Sequence, residues 1–259
     1  MRSLLFSLLL MGGLSVTASS ARAEEQRSGL LTRTVKVGAA TYDYQVYVPA
    51  KIREQAKLPV IVFLHGISQR GEGGFVPVQG GANAMLRGYL EQIPAIVLLP
   101  QCRKGRYWHD AEMERMVMES LRQTVAEFGA DEARLYLTGV SMGGFGAWHM
   151  GSKYPGKFAA LVPICGGSTL VAADRFTPVA RGVGQTPVWV FHGADDPIVP
   201  VSESRQMVAA LKAAGGNVRY NEYAGVGHNV WLNVLAEREL LPWILAQRLQ
   251  RPSASARQP

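Results

Sequence analysis

Short apolar runs alternate with segments of helical periodicity along most of this chain. Four of these runs end in turns that contain glycine or proline, and two more follow: Val60–Leu64, Ala95–Leu99, Leu135–Thr138, Ala160–Ile164, Val188–Phe191 and Val218–Tyr223. Continuous apolar runs of this kind are typical of parallel strands that are buried on both faces. Because parallel strands are joined by crossover connections, which are usually helices, the alternation predicts an α/β protein.

The remaining segments extend this prediction. Helical patterns cover Glu112–Phe128, Gly143–Tyr154, Ser202–Ala214 and Val230–Gln250, whereas Ser168–Gln185 has no clear period. Two earlier segments, Thr32–Val37 and Thr41–Val48, carry alternating β-branched and aromatic residues and predict an antiparallel hairpin. We therefore expect one domain over residues 24–250, with a mostly parallel central sheet, an N-terminal antiparallel hairpin and helices on both faces.

The first residues have the pattern of a secretory signal peptide. Arg2 precedes a short apolar run that extends to Met11, and Ala21-Arg22-Ala23 supplies small residues at the two positions that signal peptidase reads. The alternative, a membrane anchor, needs a longer run to cross a bilayer of about 30 Å. We expect cleavage after Ala23 and a secreted or periplasmic protein. Residues 251–259 predict a disordered tail.

Composition excludes several classes of protein. The 259 residues are 47% hydrophobic and 18% charged, which argues against a disordered chain or a coiled coil. The net charge is +7, but no basic run with interleaved aromatic residues occurs, so we expect no nucleic-acid partner. No later segment is apolar for long enough to predict a membrane span. The sequence does not indicate an oligomeric state.

The motif G-x-S-x-G over residues 139–143 predicts a nucleophile. It lies between a predicted buried strand and a predicted helix, with Ser141 at its centre. In that position a serine occupies a strained turn that projects its hydroxyl above the sheet. The two flanking glycines allow the strand and the helix to pack closely, so the sequence predicts Ser141 as the catalytic nucleophile.

A serine nucleophile needs a histidine base and a carboxylate that orients it. His228 is the only histidine after the acidic loop that follows the run at 188–191, and we assign it as the base. Two adjacent carboxylates, Asp195 and Asp196, compete for the third role. We favour Asp196 because it fits the pattern H-G-x-x-D-x-x-V.

Acyl transfer also requires two donors aimed at the developing oxyanion. The backbone N–H of Met142, which follows the nucleophile, is the first candidate. The loop after the first central strand supplies the second: Gly66 lets the backbone turn in closely, so the N–H of Ile67 is expected to donate. This glycine-rich loop lacks the patterns of a phosphate-binding loop.

The motifs together resemble the α/β-hydrolases of the secreted phospholipase/carboxylesterase-like group, close to feruloyl-esterase-type enzymes. The resemblance extends over most of the chain and rests on the segments at 63–67, 100–102 with Trp108, 139–144, 162–167, 191–196 and 227–228. It implies the α/β-hydrolase fold. In the family, the loop after the first central strand often reads H-G-x-G-E-R-G, whereas this chain has Ser68 and Gln69 in place of the second glycine and the glutamate.

The predicted function is a secreted serine carboxylic-ester hydrolase that needs no cofactor and no metal. The segment Ser168–Gln185 is too short for a bulky cap, so we expect an open site and a preference for short-chain or aromatic esters of the feruloyl or acetyl type, including esters on a polymer. Trp108 and Trp231 are candidates for stacking an aromatic or sugar ring of the substrate. Packing of these tryptophans into the core is the alternative. An acyltransferase or a peptidase with the same triad, and a binding protein without catalysis, are the competing functions.

Cys102 and Cys165 each follow a predicted central strand. An oxidising compartment favours a disulfide between them. The expected strand order separates them by about 14 Å, however, and a disulfide needs Cα atoms within about 7 Å. The sequence leaves this question open.

Overall fold

The computed structural model describes residues 28–50, 57–71 and 89–250, and its centre is an eight-stranded sheet. The strands lie in the order β1-β2-β4-β3-β5-β6-β7-β8. Their bounds are β1 Gly29–Val37, β2 Ala40–Val48, β3 Val60–Leu64, β4 Ile96–Pro100, β5 Leu135–Val140, β6 Ala160–Ile164, β7 Val188–Gly193 and β8 Val218–Tyr223. The predicted signal peptide and the predicted C-terminal tail lie outside the described residues.

The strand directions confirm the predicted α/β class. β1 and β2 form an antiparallel hairpin, and β2 pairs antiparallel with β4. All neighbouring pairs among β3 to β8 are parallel. The carboxyl ends of these six strands therefore lie at one edge of the sheet, and the loops that follow them meet there. β8 lies at the other end of the sheet from β1, and its alternating polar residues fit an edge strand with one solvated face.

In the described part of the chain, four helices connect strands and two more follow β8. They are α1 Ala111–Phe128, α2 Met142–Lys153, α3 Thr177–Val183, α4 Ser202–Ala213, α5 Trp231–Leu235 and α6 Leu240–Ala246, with a 3₁₀ turn at Ile67–Gln69. The prediction of one helix over Val230–Gln250 is wrong, because the chain forms the two short helices α5 and α6 instead. Pro242 lies in the first turn of α6, where a missing N–H costs nothing, but it could not lie in the interior of a longer helix.

The two faces of the sheet bury different sets of side chains. Val62, Leu64 and Leu137 belong to a core shared with α1 and α2. Ile61 and Val162 face the opposite side, where a second core includes residues of α5 and α6. Because successive residues of a strand point to opposite faces, central strands covered on both sides must be apolar throughout. This explains the continuous apolar runs in the sequence.

A buried carboxylate fastens α1 to α2. Glu114 accepts hydrogen bonds from His149 Nε2 at 2.9 Å, from Lys153 Nζ at 2.9 Å and from the Tyr154 hydroxyl at 2.5 Å. Burial raises the pKa of Glu114, but these hydrogen bonds outweigh it and hold the pKa below its ordinary value. The charged form of Glu114 thus fixes α2, the helix that begins directly after Ser141.

Both cysteines are free thiols, and both are buried. Cys102 follows β4 and Cys165 follows β6, and the strand order places β3 and β5 between them. Burial raises the pKa of each thiol to about 12. The disulfide that the sequence left open is absent from this structure. None of the helices in the described ranges has the length and apolarity required to traverse a bilayer.

Candidate active site

Ser141 lies in a strained turn between β5 and α2. Its backbone has φ 56° and ψ −118°, a conformation that residues with side chains rarely adopt. Two close approaches force this turn: a Cβ at Gly143 would overlap the Leu64 carbonyl oxygen, and a Cβ at Gly139 would overlap the Gly143 carbonyl. We call this turn at Ser141 the elbow. The N–H of Ser141 donates to the Ile164 carbonyl at 2.9 Å, so the elbow is bonded to β6.

The structure brings the three predicted catalytic side chains together. His228 Nε2 lies 3.0 Å from Ser141 Oγ, and His228 Nδ1 lies 2.7 Å from Asp196 Oδ2. The loops that follow β5, β7 and β8 supply the three residues. A carboxylate on Nδ1 keeps a proton on that nitrogen, which leaves Nε2 free to accept the serine proton.

Asp196, and not Asp195, contacts the histidine. The Asp196 side chain is fully buried, whereas Asp195 is exposed. Asp196 Oδ1 accepts the backbone N–H groups of Ile198 at 2.8 Å and Val199 at 2.9 Å. Burial raises the pKa of Asp196, but the hydrogen bonds from His228 and the two amides outweigh it and lower the pKa below its ordinary value. The carboxylate is therefore charged and fixed.

The loop of the predicted oxyanion donor packs against the elbow. A Cβ built on Gly66 would lie 3.8 Å from the Ser141 Cβ, and Ile67 follows at the start of the 3₁₀ turn. Met142 is the first residue of α2, so its N–H has no acceptor within the helix. Met142 thus adjoins Ser141 in the chain, and the segment that begins at Gly66 and continues into Ile67 comes close to Ser141 in space.

His65 binds this loop to the loop after β4. Its Nδ1 lies 2.7 Å from the Gly66 carbonyl oxygen, and its Nε2 accepts the N–H of Cys102 at 3.0 Å. Trp108 Nε1 donates to the His65 carbonyl at 2.9 Å. The loop after β3 is therefore bound to the loop after β4. A histidine followed by glycine at a strand end was the one sequence signal for this contact.

His65 makes stability depend on pH. Burial lowers its pKa from 6.5 to about 4, because the neutral ring is preferred in the folded protein. The unfolded chain binds this proton first, so the stability that His65 contributes is present above pH 6.5 and is lost as the pH falls from about 6.5 to about 4. The loss amounts to about 3 kcal/mol at most.

The measurement is the free energy of unfolding in urea at pH 7.0 and at pH 4.5, for wild type and His65→Gln. Glutamine keeps a donor and an acceptor but does not titrate, so we expect a smaller loss of stability on acidification in the variant. An equal loss in both proteins would show that His65 does not control the acid response.

The two tryptophans differ in position. Trp108 is fully buried and its indole N–H is bonded to His65, so its prediction as a substrate-stacking residue is corrected. A Cβ at Gly146 of α2 would overlap the Trp108 side chain, which shows how closely the helix packs on this ring. Trp231 is only half-buried and lies three residues after His228, at the start of α5. Sequence spacing could not separate a core tryptophan from one near the surface.

The large exposed apolar side chains lie in segments that, like Ser141, follow the carboxyl ends of strands. Among the described residues, every large hydrophobic side chain that is exposed follows the carboxyl end of a parallel strand. We call this set the apolar rim: Ile67, Tyr107, Leu170, Val171, Ile198 and Leu232. Because β5 lies between β3 and β6, the rim extends on both sides of the nucleophile.

One group of potential metal ligands occurs among the described residues. The side-chain ligand atoms of Cys165, Asp196 and His228 lie within 4.8 Å of one another. Asp196 and His228 already share a hydrogen bond, and the thiol of Cys165, with its pKa raised to about 12, is protonated at neutral pH. Asp196 and His228 are therefore already engaged with each other, and the protonated thiol of Cys165 is a poor metal ligand.

Comparison with known proteins agrees with this geometry. The profile of the phospholipase/carboxylesterase family matches residues 109–238, about half of the 259 residues. An acyl-protein thioesterase 1 of Gibberella zeae is 24% identical over 208 residues, which cover 69% of this chain and 87% of that protein. A bifunctional acetylxylan esterase/xylanase of Neocallimastix patriciarum is 26% identical over 160 residues, 61% of this chain and 22% of that protein.

Solved structures show the same fold. The crystal structure of a thermostable esterase superposes with a TM-score of 0.74 at 32% identity and covers 85% of this chain. This chain in turn spans 63% of the esterase, and about a fifth of the acetylxylan esterase/xylanase. We conclude that the chain belongs to the phospholipase/carboxylesterase family of α/β-hydrolases and is a serine ester hydrolase.

Proposed function

We propose that Ser141, His228 and Asp196 form the catalytic triad of a secreted carboxylesterase for short-chain or aromatic esters, including esters carried on a polymer. The observation that carries the proposal is the continuous chain of contacts from Ser141 Oγ to His228 Nε2 at 3.0 Å and from His228 Nδ1 to Asp196 at 2.7 Å.

The geometry supports a two-step reaction. Ser141 Oγ attacks the ester carbonyl while its proton moves to His228 Nε2, and the charged Asp196 stabilises the imidazolium that forms. His228 then gives the proton to the leaving alcohol, which departs and leaves an acyl group on Ser141. A water molecule, deprotonated by the same Nε2, attacks the acyl-enzyme and releases the acid.

The backbone donors for the oxyanion are Met142 and Ile67. The first turn of α2 presents N–H groups without helical acceptors, and the positive end of the helix dipole favours negative charge there. Gly66 lets the second backbone segment come close to Ser141. Donors held in place before reaction stabilise the oxyanion without reorganisation.

Three features support the substrate class. The segment 168–185 contains only the seven-residue helix α3, so it does not form a bulky cap. Half-buried Trp231 lies near the base and supplies a ring for stacking an aromatic or sugar group. The apolar rim extends on both sides of the nucleophile, as a surface for an extended polymer would. The similar acetylxylan esterase/xylanase points in the same direction.

The proposed location rests on the first residues of the sequence. The charged, apolar and small-residue segments at 1–23 have the order of a secretory signal peptide. Export would bring the enzyme to substrates that are too large to enter a cell. N-terminal sequencing of the exported protein should start at Glu24, and an intact Met1 would contradict secretion by this route.

A panel of p-nitrophenyl esters tests the preference for short chains. We expect the acetyl ester to be hydrolysed with a higher kcat/KM than the decanoyl ester, because an open site offers a long acyl chain little enclosure. Feruloyl and acetylated-sugar esters then show which short group is favoured. A decanoyl ester that is turned over several-fold faster than the acetyl ester would contradict the proposal.

Faster turnover of the decanoyl ester would indicate that the acyl chain enters an apolar cavity on the α5 and α6 side of the sheet. Its lining includes Phe63, Leu235 and Ile164, whose carbonyl accepts the N–H of Ser141. A Leu235→Trp variant, which fills the cavity, would then reduce decanoyl turnover and leave acetyl turnover unchanged.

A further inference from the structure

A second histidine lies against the triad carboxylate. His192 is the penultimate residue of β7, before Gly193, and its side chain is fully buried. Its Nε2 lies 3.0 Å from the Val199 carbonyl oxygen and 3.3 Å from Asp196 Oδ2, the oxygen that contacts His228. The proposed mechanism assigns no role to this ring.

The contacts of His192 define its tautomer. Both oxygen atoms near Nε2 are acceptors, so this nitrogen carries the proton. Nδ1 then has no proton and lies 2.7 Å from the Ser204 hydroxyl. A lone pair of the hydroxyl oxygen aimed at the lone pair of Nδ1 would be repulsive at that distance. The Ser204 hydroxyl also lies 3.2 Å from the Gly166 carbonyl oxygen, but its single proton points to the closer Nδ1. Burial lowers the pKa of His192, which keeps the ring neutral with one proton.

His192 closes a ring of contacts around the carboxylate. Its Nε2–H donates to the Val199 carbonyl, and the N–H of Val199 donates to Asp196 Oδ1 at 2.9 Å. The same Nε2–H faces Asp196 Oδ2 at 3.3 Å. The Nε2–H of His192 thus fixes the turn that binds Asp196 Oδ1, and it also faces Asp196 Oδ2.

We propose that His192 is a positioning residue for the reaction: held in one tautomer by Ser204, it fixes the Asp196–Val199 turn and keeps Asp196 Oδ2 aimed at His228. The inference rests on the proposed triad. Its physical basis is the steep dependence of rate on geometry, since displacement of a catalytic group by about 1 Å can cost about 100-fold.

Two matched substitutions separate positioning from packing. In His192→Gln, the amide nitrogen stands the same number of bonds from the backbone as Nε2, so it still reaches Val199 and Asp196. In His192→Asn, the amide reaches only the position of Nδ1. We expect kcat for p-nitrophenyl acetate to fall roughly 10- to 100-fold in His192→Asn with little change in KM. His192→Gln should recover most of the loss.

A spectroscopic measurement reports the positioned carboxylate directly. The proton between His228 Nδ1 and Asp196 Oδ2 should give a far-downfield ¹H resonance in wild type and in His192→Gln, and this resonance should shift or broaden in His192→Asn. If His192 only packs, both variants lose thermal stability alike, while kcat per titrated active site and the resonance stay as in wild type. That result would overturn the inference.

Ser204→Ala provides a milder variant if neither His192 variant folds. It removes the donor to Nδ1, so we expect a smaller loss of kcat and the same change in the resonance. Ser120→Ala is the control, because Ser120 is also a fully buried serine on a helix but lies on α1, with its hydroxyl on Met116. Equal kcat in Ser204→Ala and Ser120→Ala would contradict the role of Ser204. Failure of the triad itself would appear separately, as full activity in Asp196→Asn.

Discussion

Ser141→Ala should lower kcat for p-nitrophenyl acetate by a factor on the order of 10⁴ to 10⁶. The hydroxyl is the only group at the elbow that can form the acyl-enzyme, and His228 Nε2 lies 3.0 Å from it. Any residual rate would come from the oxyanion donors and from substrate binding, which the substitution leaves in place. A burst of p-nitrophenol at the start of the reaction should disappear together with the steady-state rate.

Ser152→Ala is the matched control for this loss. Ser152 lies on the same helix as the elbow, α2, and its hydroxyl donates only to the His149 carbonyl at 2.9 Å. Both variants should retain the circular dichroism spectrum of wild type, since alanine at position 141 keeps the same backbone turn. If Ser141→Ala retained more than a tenth of the activity, the nucleophile would have to be another group. If wild type and variant were both inert, a binding protein without catalysis would become the better interpretation.

Asp196→Asn should lower kcat by a factor on the order of 10⁴, and the adjacent Asp195→Asn should change it by less than about twofold. An asparagine amide in place of the carboxylate favours the wrong tautomer of His228, with the proton on Nε2, where it blocks transfer from Ser141. Asp196 is buried and bonded to His228, whereas the exposed Asp195 makes no such bond. The pair therefore removes the same charge at two neighbouring positions.

Rates measured between pH 5 and 9 complete this experiment. Because hydrogen bonds hold the pKa of Asp196 below its ordinary value, its charge persists throughout this range, and wild type should not lose activity through protonation of Asp196. Asp196→Asn should be slow at every pH. Equal losses in the two variants would show that the local charge, and not the Asp196–His228 bond, supports catalysis.

Much of the fold was predictable because it depends on local patterns. Strands covered on both faces must be apolar at every position, so β3 to β7 stand out as uninterrupted runs in the sequence. The elbow was predictable for a similar reason: Gly139 and Gly143 are the residue types that a strand–helix approach of this closeness requires. Chain order then predicted His228 as the base, because it is the only histidine after the acidic loop.

The sequence thus determined the α/β class, the strand positions and the three triad candidates, since periodicity, turn residues and chain order are properties of neighbouring residues. Only the tertiary structure decided that Trp108 is buried, that Cys102 and Cys165 are buried free thiols, and that His192 faces Asp196. Each of these depends on which loops meet at the edge of the sheet. Contacts between residues far apart in the chain leave no local pattern, because packing selects them only after the strands have assembled.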